Sequence, residues 1–390
     1  MISVDDALAQ LFDLITPLGH EYVPLRAGSG RVLARAVAAT RDQPPFAASA
    51  MDGYAVRSAD VGPDARFAVI GEAAAGHRFE GSVGPGQAVR IFTGAPMPRD
   101  SDRVIIQEDV SVSGTVIALG QTIDTGPHVR PAAADFEAGT RMEAPRLLRP
   151  HDIALLAAMN VAELPVTRRP EIAIIATGDE LVMPGEDPGP DQIIASNSFG
   201  LAALVEAHGA HARLLPIARD SAGSLETAFD LAKGSDLIIT IGGASVGDHD
   251  LVGQVAESIG MQRSFYKIAM RPGKPLMAGR MGESVMVGLP GNPVSAMVCG
   301  HVFILPMIRA MLGLGAAPAP SFTARLQVDL PANGPRTHYM RATLSDGIAT
   351  PATSQDSALL GVLARADILL IRPAHDGPRQ AGDEVTCMHI

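Results

Sequence analysis

Three apolar runs in the second half of the chain end in the same way, and that repetition restricts the fold more than any other feature. Residues 236–250 read DLIITIGGASVGDHD, residues 265–279 read FYKIAMRPGKPLMAG and residues 285–297 read VMVGLPGNPVSAM. Each is a strand-like run that empties into a glycine- and proline-rich turn carrying polar groups. In an open α/β sheet such turns gather at one edge, and ligands bind in the crevice beyond the carboxyl ends of the strands. Gly242, Gly243, Gly273, Gly288 and Gly291 carry no Cβ, so backbone N–H groups can approach an anion closely there. Lys267 and Lys274 supply positive charge, and Asp248 and Asp250 supply hard oxygen ligands. The mixture suits a phosphate group together with a divalent cation. It points to an enzyme site for a phosphorylated or nucleotide-like small molecule.

The surrounding pattern extends this into a domain. Apolar runs at 171–176, 213–217, 236–241, 265–270 and 284–288 alternate with helix-like segments such as SFGLAALVEAHG and DLVGQVAESIG. Strands alternating with helices predict a mainly parallel, three-layer α/β domain. Its last helix is expected to start at Asn292, an N-cap residue, with Pro293 at the first helical position and a kink at Pro306.

Before this domain the pattern differs. VDDALAQLFDLITPL and SGRVLARAVAA read as helical, and PHDIALLAAMN restores a helical period at Pro150. Between them, from about Phe67 to Asp135, short strand-like pieces are punctuated by glycine and proline, the mark of an inserted β-domain. After the linker GLGAAPAPSF, the pieces TARLQVDL, HYMRATL, IATPAT, ADILLIRP and DEVTCMHI predict a small barrel or sandwich. The expected boundaries are 1–44 with 136–169 for a discontinuous helical/mixed linker domain, 45–135 for the inserted β-domain, 170–316 for the α/β domain and 317–390 for the C-terminal barrel.

A chain of 390 residues exceeds one ordinary core, in keeping with several domains. The net charge of -11 disfavours nucleic acid and anionic membranes as partners. It leaves room for an anionic ligand in a locally basic pocket. Of 31 basic side chains only Lys233, Lys267 and Lys274 are lysine, so two lysines in one turn region suggest a need for compact ammonium groups. Cys299 and Cys387 form no CxxC pattern, which gives no zinc or disulfide framework. The start MISVDDALAQLF lacks a basic, apolar signal, and no run of about 18 apolar residues suggests a membrane span. A soluble cytoplasmic protein is expected.

Other polar groups sit at strand ends. Thr177, Gly178, Asp179 and Glu180 follow the 171–176 run in ATGDEL and suit magnesium, ribose hydroxyls or a base edge, although acids at a helix start would look the same. GGASVGDHD, with Ser245, resembles a phosphate-cradling loop without the spacing of either common glycine motif. His249 reads as a surface residue rather than a ligand. In the first half, Ser49 and Asp52 lie in SAMDGYAV, Thr93 in IFTGAPMP, and Arg130 and Asp135 in HVRPAAADF. These could reach the main site only if another domain or another subunit folded over it. No GxSxG elbow supports a covalent serine mechanism.

Together, AASAMDGYAVR, IFTGAPMP, ATGDEL, GGASVGDHD, KIAMRPGKP and GLPGNPVSA resemble, in order and spacing, the molybdopterin molybdenumtransferases, the MoeA family that includes the gephyrin E-domain. The resemblance covers essentially the whole chain. It implies a multidomain α/β plus β fold. In it a three-layer α/β/α domain of molybdopterin-binding type is joined by an inserted N-terminal β-domain, a helical/mixed linker domain and a C-terminal β-barrel. It further implies a homodimer with a shared active cleft. The implied reaction is magnesium-dependent insertion of molybdate into adenylylated molybdopterin with release of AMP, giving molybdenum cofactor. Contact with a molybdopterin adenylyltransferase would fit such a pathway step.

On this resemblance the candidate catalytic residues are Asp52, Thr93, Asp135, Glu180 and Asp250, with Glu180 and Asp250 as magnesium ligands. The candidate substrate and molybdate ligands are Ser49, Arg130, Thr177, Gly178, Asp220, Gly242, Gly243, Ser245, Lys267, Arg271, Lys274, Pro290, Pro293 and Arg341. The chain departs from the family pattern at Ile241, where TIGG replaces TSGG, at Ala195, where an aspartate is usual, and in Ala132-Ala133-Ala134, where a glycine is usual. Two other readings stand beside the transferase: a related adenylyltransferase that makes the AMP adduct, and a non-catalytic gephyrin-like scaffold.

Overall fold

The computed structural model describes residues 1–243 and 251–390. The chain forms two compact units. One comprises Met1–Glu21, Gly30–Ala34 and Val166–Ile390, and the other Tyr22–Ser29 and Arg35–Pro165.

The larger unit is built on a six-stranded sheet. Its strands run in the order His211–Leu214, Glu171–Ala176, Leu237–Ile241, Ser284–Leu289, Met277–Met281 and Gln262–Tyr266. The first four are mutually parallel, and Met277–Met281 runs antiparallel to both of its neighbours. Side chains alternate between faces with the strand period of two. Ile172, Ile174, Leu237, Ile239, Val285 and Val287 pack on one face in a core shared with helices Val4–Asp13, Asn197–Ala207 and the run Pro293–Met311. Ala173, Ile175, Ile238 and Met286 pack on the other, against helices Ala222–Leu231 and Leu251–Ser258. The expected three-layer α/β/α domain is therefore present.

Several local expectations change. The predicted strand at 265–270 is displaced to Gln262–Tyr266, because Lys267 turns into the left-handed region at φ 74 and ends it. The predicted strand at 213–217 is His211–Leu214. SGRVLARAVAA is not a helix: it forms the short strands Val32–Leu33 and Val37–Ala38, with Val32 and Leu33 buried. Tertiary pairing has overridden local propensity there.

The helix at Asn292–Pro293 is interrupted as well as started by its sequence. Pro293–Cys299 is α, Gly300–Ile304 is a π turn, and Leu305–Met311 is α again. Pro306 has no N–H for the carbonyl four residues back, and the Leu305 N–H bonds Gly300 O instead. By length and mean hydropathy of 1.6, Pro293–Met311 is apolar enough to span a membrane, but 83% of its most apolar stretch is buried inside the protein, as in a core helix.

The C-terminal strands Phe322–Leu326, Thr337–Ser345, Ile348–Pro351, Ile368–Arg372 and Glu384–His389 close into a five-stranded barrel. Its interior holds Leu326, Ala349, Ile368, Leu370 and Cys387. Met270–Arg271 adds to one barrel strand, with Arg271 in register with His338.

The smaller unit contains a six-stranded sheet in the order Arg103–Ile106, Gly53–Val56, Gln87–Ile91, Arg66–Ala73, Val116–Leu119, Val110–Ser113. Both of its faces are covered, one by Tyr54, Val56, Phe67 and Ile105, the other by Ala55, Val89, Ile91 and Val104.

Candidate active site

The turns that follow Glu171–Ala176, Leu237–Ile241 and Ser284–Leu289 lie at the carboxyl edge of the parallel strands and line a cleft of about 970 Å³. Thr177, Gly178, Glu180, Asp220, Gly242, Gly243, Pro290 and Pro293 all face it. Close backbone packing explains the glycines. Gly242 has φ 94, and a Cβ there would stand 2.7 Å from Thr177 O. Gly243 has φ 65, and a Cβ would stand 2.2 Å from a methyl of Val252. The N–H of Thr177 donates to Ile241 O at 2.9 Å, which ties the first turn to the second.

Among the described residues, the acids lining this cleft are Glu180 and Asp220. Their turns are braced by Arg219, which no motif singles out, and by Asp179 of the ATGDEL motif. Arg219 Nη1 donates to the carbonyls of Asp179 and Leu181 at 3.0 and 3.1 Å, and Asp179 Oδ1 accepts the Asp220 N–H at 3.2 Å. Asp179 thus serves the turn. Asp250 and Ser245, with Asp248 and His249, lie outside the described residues. Two carboxylates with water completing the shell suit magnesium, which takes one or two acids and keeps several waters. Among the described residues no group of three His, Cys, Asp or Glu comes together.

A second hollow of about 350 Å³ adjoins the cleft, sharing Pro275, Pro290 and Asn292 with it. Arg271, Lys274 and Arg336 outnumber the one acid of its wall, Asp356, and Ser295, Gln355 and Ser357 add hydrogen-bonding groups. Arg336 is absent from the sequence-based set, and no local motif marks it. The turn bearing Arg271 and Lys274 is closed by bonds from Lys267 N–H to Leu276 O and from Ile268 N–H to Lys274 O, both 3.0 Å. Lys267 itself stands elsewhere, its ammonium 4.8 Å from the centroid of the Tyr266 ring.

Arg341 is fully buried and donates from Nη2 to the carbonyl of Asp356, a wall residue of the basic hollow, at 3.0 Å. Its Nε and Nη1 have no partner among the described residues. Burial and then the charge of Arg271 lower its pKa. His338, also buried, is pushed down to about 4 by burial and by Arg271, Arg341, Arg336 and Arg372. Cations concentrated with so little counter-charge favour an anion.

In the smaller unit, Asp52 Oδ1 accepts both the Thr93 N–H at 2.7 Å and the Thr93 hydroxyl at 2.8 Å. These two bonds, with the nearby Arg90 charge, hold the Asp52 carboxyl below the usual carboxylate range. Ser49 is buried and its hydroxyl donates to Met51 O at 2.5 Å. Arg130 lies in register with Ala48, on the strand that carries Ser49. Asp135 sits in an exposed loop whose backbone bonds Gln43 O at 2.9 Å. Of these five residues the described bonds bring Asp52 and Thr93 together and leave the others separate.

A ligand cleft at the strand ends of a three-layer α/β domain, with carboxylates on its wall and a basic hollow beside it, defines an enzyme for an anionic, nucleotide-like small molecule. The particular family is plain from related proteins. Residues 2–160 match the family model of the MoeA N-terminal region (domain I and II), residues 173–310 that of a probable molybdopterin binding domain, and residues 323–390 that of the MoeA C-terminal region (domain IV). The chain is 36% identical to a molybdopterin molybdenumtransferase of Nostoc sp., over 100% of this chain and 94% of that protein. It is 32% identical to the one from Haemophilus influenzae, over 99% and 98%. The crystal structure of a molybdopterin biosynthesis MoeA protein from Pyrococcus horikoshii superposes with a TM-score of 0.86 at 28% identity, covering 100% of this chain and 99% of that one. The chain belongs to the MoeA family of molybdopterin molybdenumtransferases, enzymes of molybdenum cofactor biosynthesis.

Proposed function

We propose that this enzyme transfers molybdate into adenylylated molybdopterin and releases AMP. The observation that carries the reading is the adjacency of two hollows of opposite character, one walled by Glu180 and Asp220 and the other by Arg271, Lys274 and Arg336. The pterin nucleotide takes the larger cleft, where glycine turns let backbone approach the phosphates. Molybdate takes the basic hollow, beside the phosphates in the adjoining cleft. Magnesium on Glu180, Asp220 and Asp250 would neutralise charge on the phosphoanhydride. Cleavage of that bond needs positioning and electrostatics more than covalent help from the protein.

Asp52, Thr93, Arg130 and Asp135 join catalysis in this reading within a homodimer. The enzyme works in the cytoplasm and receives its substrate from a molybdopterin adenylyltransferase.

The test is AMP release and molybdenum incorporation by purified protein supplied with magnesium, molybdate and adenylylated molybdopterin. Molybdate-stimulated AMP release, lost on chelation and in Glu180→Gln, is expected. Lys274→Ala should raise the KM for molybdate more than it lowers kcat. Tight binding without turnover would instead favour a scaffold, and ATP-dependent adenylylation of free molybdopterin an adenylyltransferase. Co-expression of Asp52→Asn with Asp220→Asn chains tests the shared cleft, since mixed dimers would recover activity that neither parent has.

A further inference from the structure

The neighbours of Asp52 and Thr93 meet at one side chain, that of Arg90. Strand Gln87–Ile91 runs beside Gly53–Val56, with Arg90 directly opposite Tyr54. The Arg90 guanidinium carbon stands 5.0 Å from the centroid of the Tyr54 ring and 4.8 Å from that of Phe92. Its Nη1 donates to Gly53 O at 3.1 Å and its Nη2 to Gln107 Oε1 at 2.7 Å. Gln107 in turn donates its N–H to Asp52 O at 3.1 Å. One planar group therefore contacts residue 53, next to Asp52, residue 92, next to Thr93, and residue 107, which bonds Asp52.

The far side of the Asp52 turn has no slack. A Cβ on Gly53 would lie 1.9 Å from Ile105 O, so the strand edge fixes that side as Arg90 fixes the other. The fork of an arginine can bond two acceptors while its flat face contacts aromatic rings. A lysine supplies the charge without the fork or the face.

We propose that Arg90 is the positioning residue of the Asp52–Thr93 pair, setting the orientation of the Asp52 carboxylate. The inference rests on the reading that Asp52 and Thr93 take part in turnover. Arg90 itself touches no reacting atom; it acts through the turn. Its charge also supports the ionised carboxylate, after the two Thr93 hydrogen bonds.

The experiment compares Asp52→Asn, Arg90→Met, Arg90→Lys and the Asp52→Asn/Arg90→Met double variant in the AMP-release assay, with thermal melts of each. Misplacement of a catalytic group by about 1 Å costs on the order of 100-fold. Arg90→Met is therefore expected to lower kcat by about 10- to 100-fold, with the KM for molybdate and the melt unchanged. Arg90→Lys should keep the wild-type acid limb of the pH profile but recover only part of kcat. The double variant should be no slower than Asp52→Asn alone, because a residue acting through Asp52 has nothing left to position. If Asp52→Asn is slow while Arg90→Met is silent, or if the two losses multiply, the Arg90 proposal is wrong and the reading of Asp52 stands. If Asp52→Asn turns over like wild type, the role given to Asp52 fails and that of Arg90 falls with it. Should Arg90→Met not fold, Arg90→Lys carries the same comparison.

Discussion

The carboxylate of Glu180 folds back over Gly178, so closely that a Cβ on the glycine would lie 2.3 Å from Glu180 Oε2. Gly178 also has φ 149, a conformation that side-chain-bearing residues rarely adopt. Gly178→Ala should therefore evict the carboxylate from its place at the cleft without unfolding the domain, since the group it meets is the end of a flexible side chain. AMP release should fall by about 10- to 100-fold, and circular dichroism should stay native. Wild-type turnover in this variant would show that Glu180 need not occupy that position.

The basic turn depends on a similar contact. Gly273 has φ 104, and a Cβ there would stand 2.6 Å from Cys299 Sγ and 3.2 Å from Met270 Sδ. Gly273→Ala should shift Arg271 and Lys274 and weaken oxyanion binding, read by calorimetric titration with molybdate. Adding Cys299→Ala makes room and should restore part of the affinity. No recovery would assign the defect to backbone strain instead of the sulfur contact.

Ala133 occupies φ 58, in the left-handed region. A left-handed conformation costs an L-residue about 1–2 kcal/mol, and the entropy of a new glycine offsets about 0.5–1 of it. Ala133→Gly should thus stabilise the protein by up to about 1.5 kcal/mol, seen as a higher denaturation midpoint. A lower midpoint would mean the loop carries no such strain.

In the barrel, Asp376 pairs with the buried Arg372 and with Arg379. Hydrogen bonding from Arg379 first, and then from Arg372, lowers its pKa. A carboxylate depressed on folding contributes stability that is present above its unfolded pKa of about 3.9 and is lost as pH falls through the folded value. Asp376→Asn should remove that acid-dependent component and cost about 3 kcal/mol at neutral pH, because the Arg372 charge stays buried without its counter-ion. Denaturant melts at neutral and acid pH check both. Identical pH dependence in wild type and variant would exclude the linkage.

Much of the architecture was legible in the residues. The buried strands 171–176 and 236–241 are continuous apolar runs, as expected for strands covered on both faces, and the five C-terminal strands stand out as short apolar pieces between turns. Val32 and Leu33 misled because their spacing fits a helix, and only partners distant in the chain select the strand. The π turn at Gly300–Ile304 was not foreseen, although Pro306 marked the place.

The sequence by itself determined the strand-end turns, their glycines and many of the residues that line the cleft, because these follow from local backbone requirements and side-chain chemistry. Thr177, Gly178, Glu180, Gly242, Gly243, Pro290 and Pro293 could be named from their motifs alone. Only the tertiary structure decided which cations share a hollow. Arg336, placed by the barrel, stands with Arg271 and Lys274, while Lys267, in the same motif, turns away to Tyr266. The clamps were hidden for the same reason. Arg90 and Arg219 act through carbonyls and rings brought close by sheet pairing, and a contact made across strands leaves no mark at any spacing along the chain.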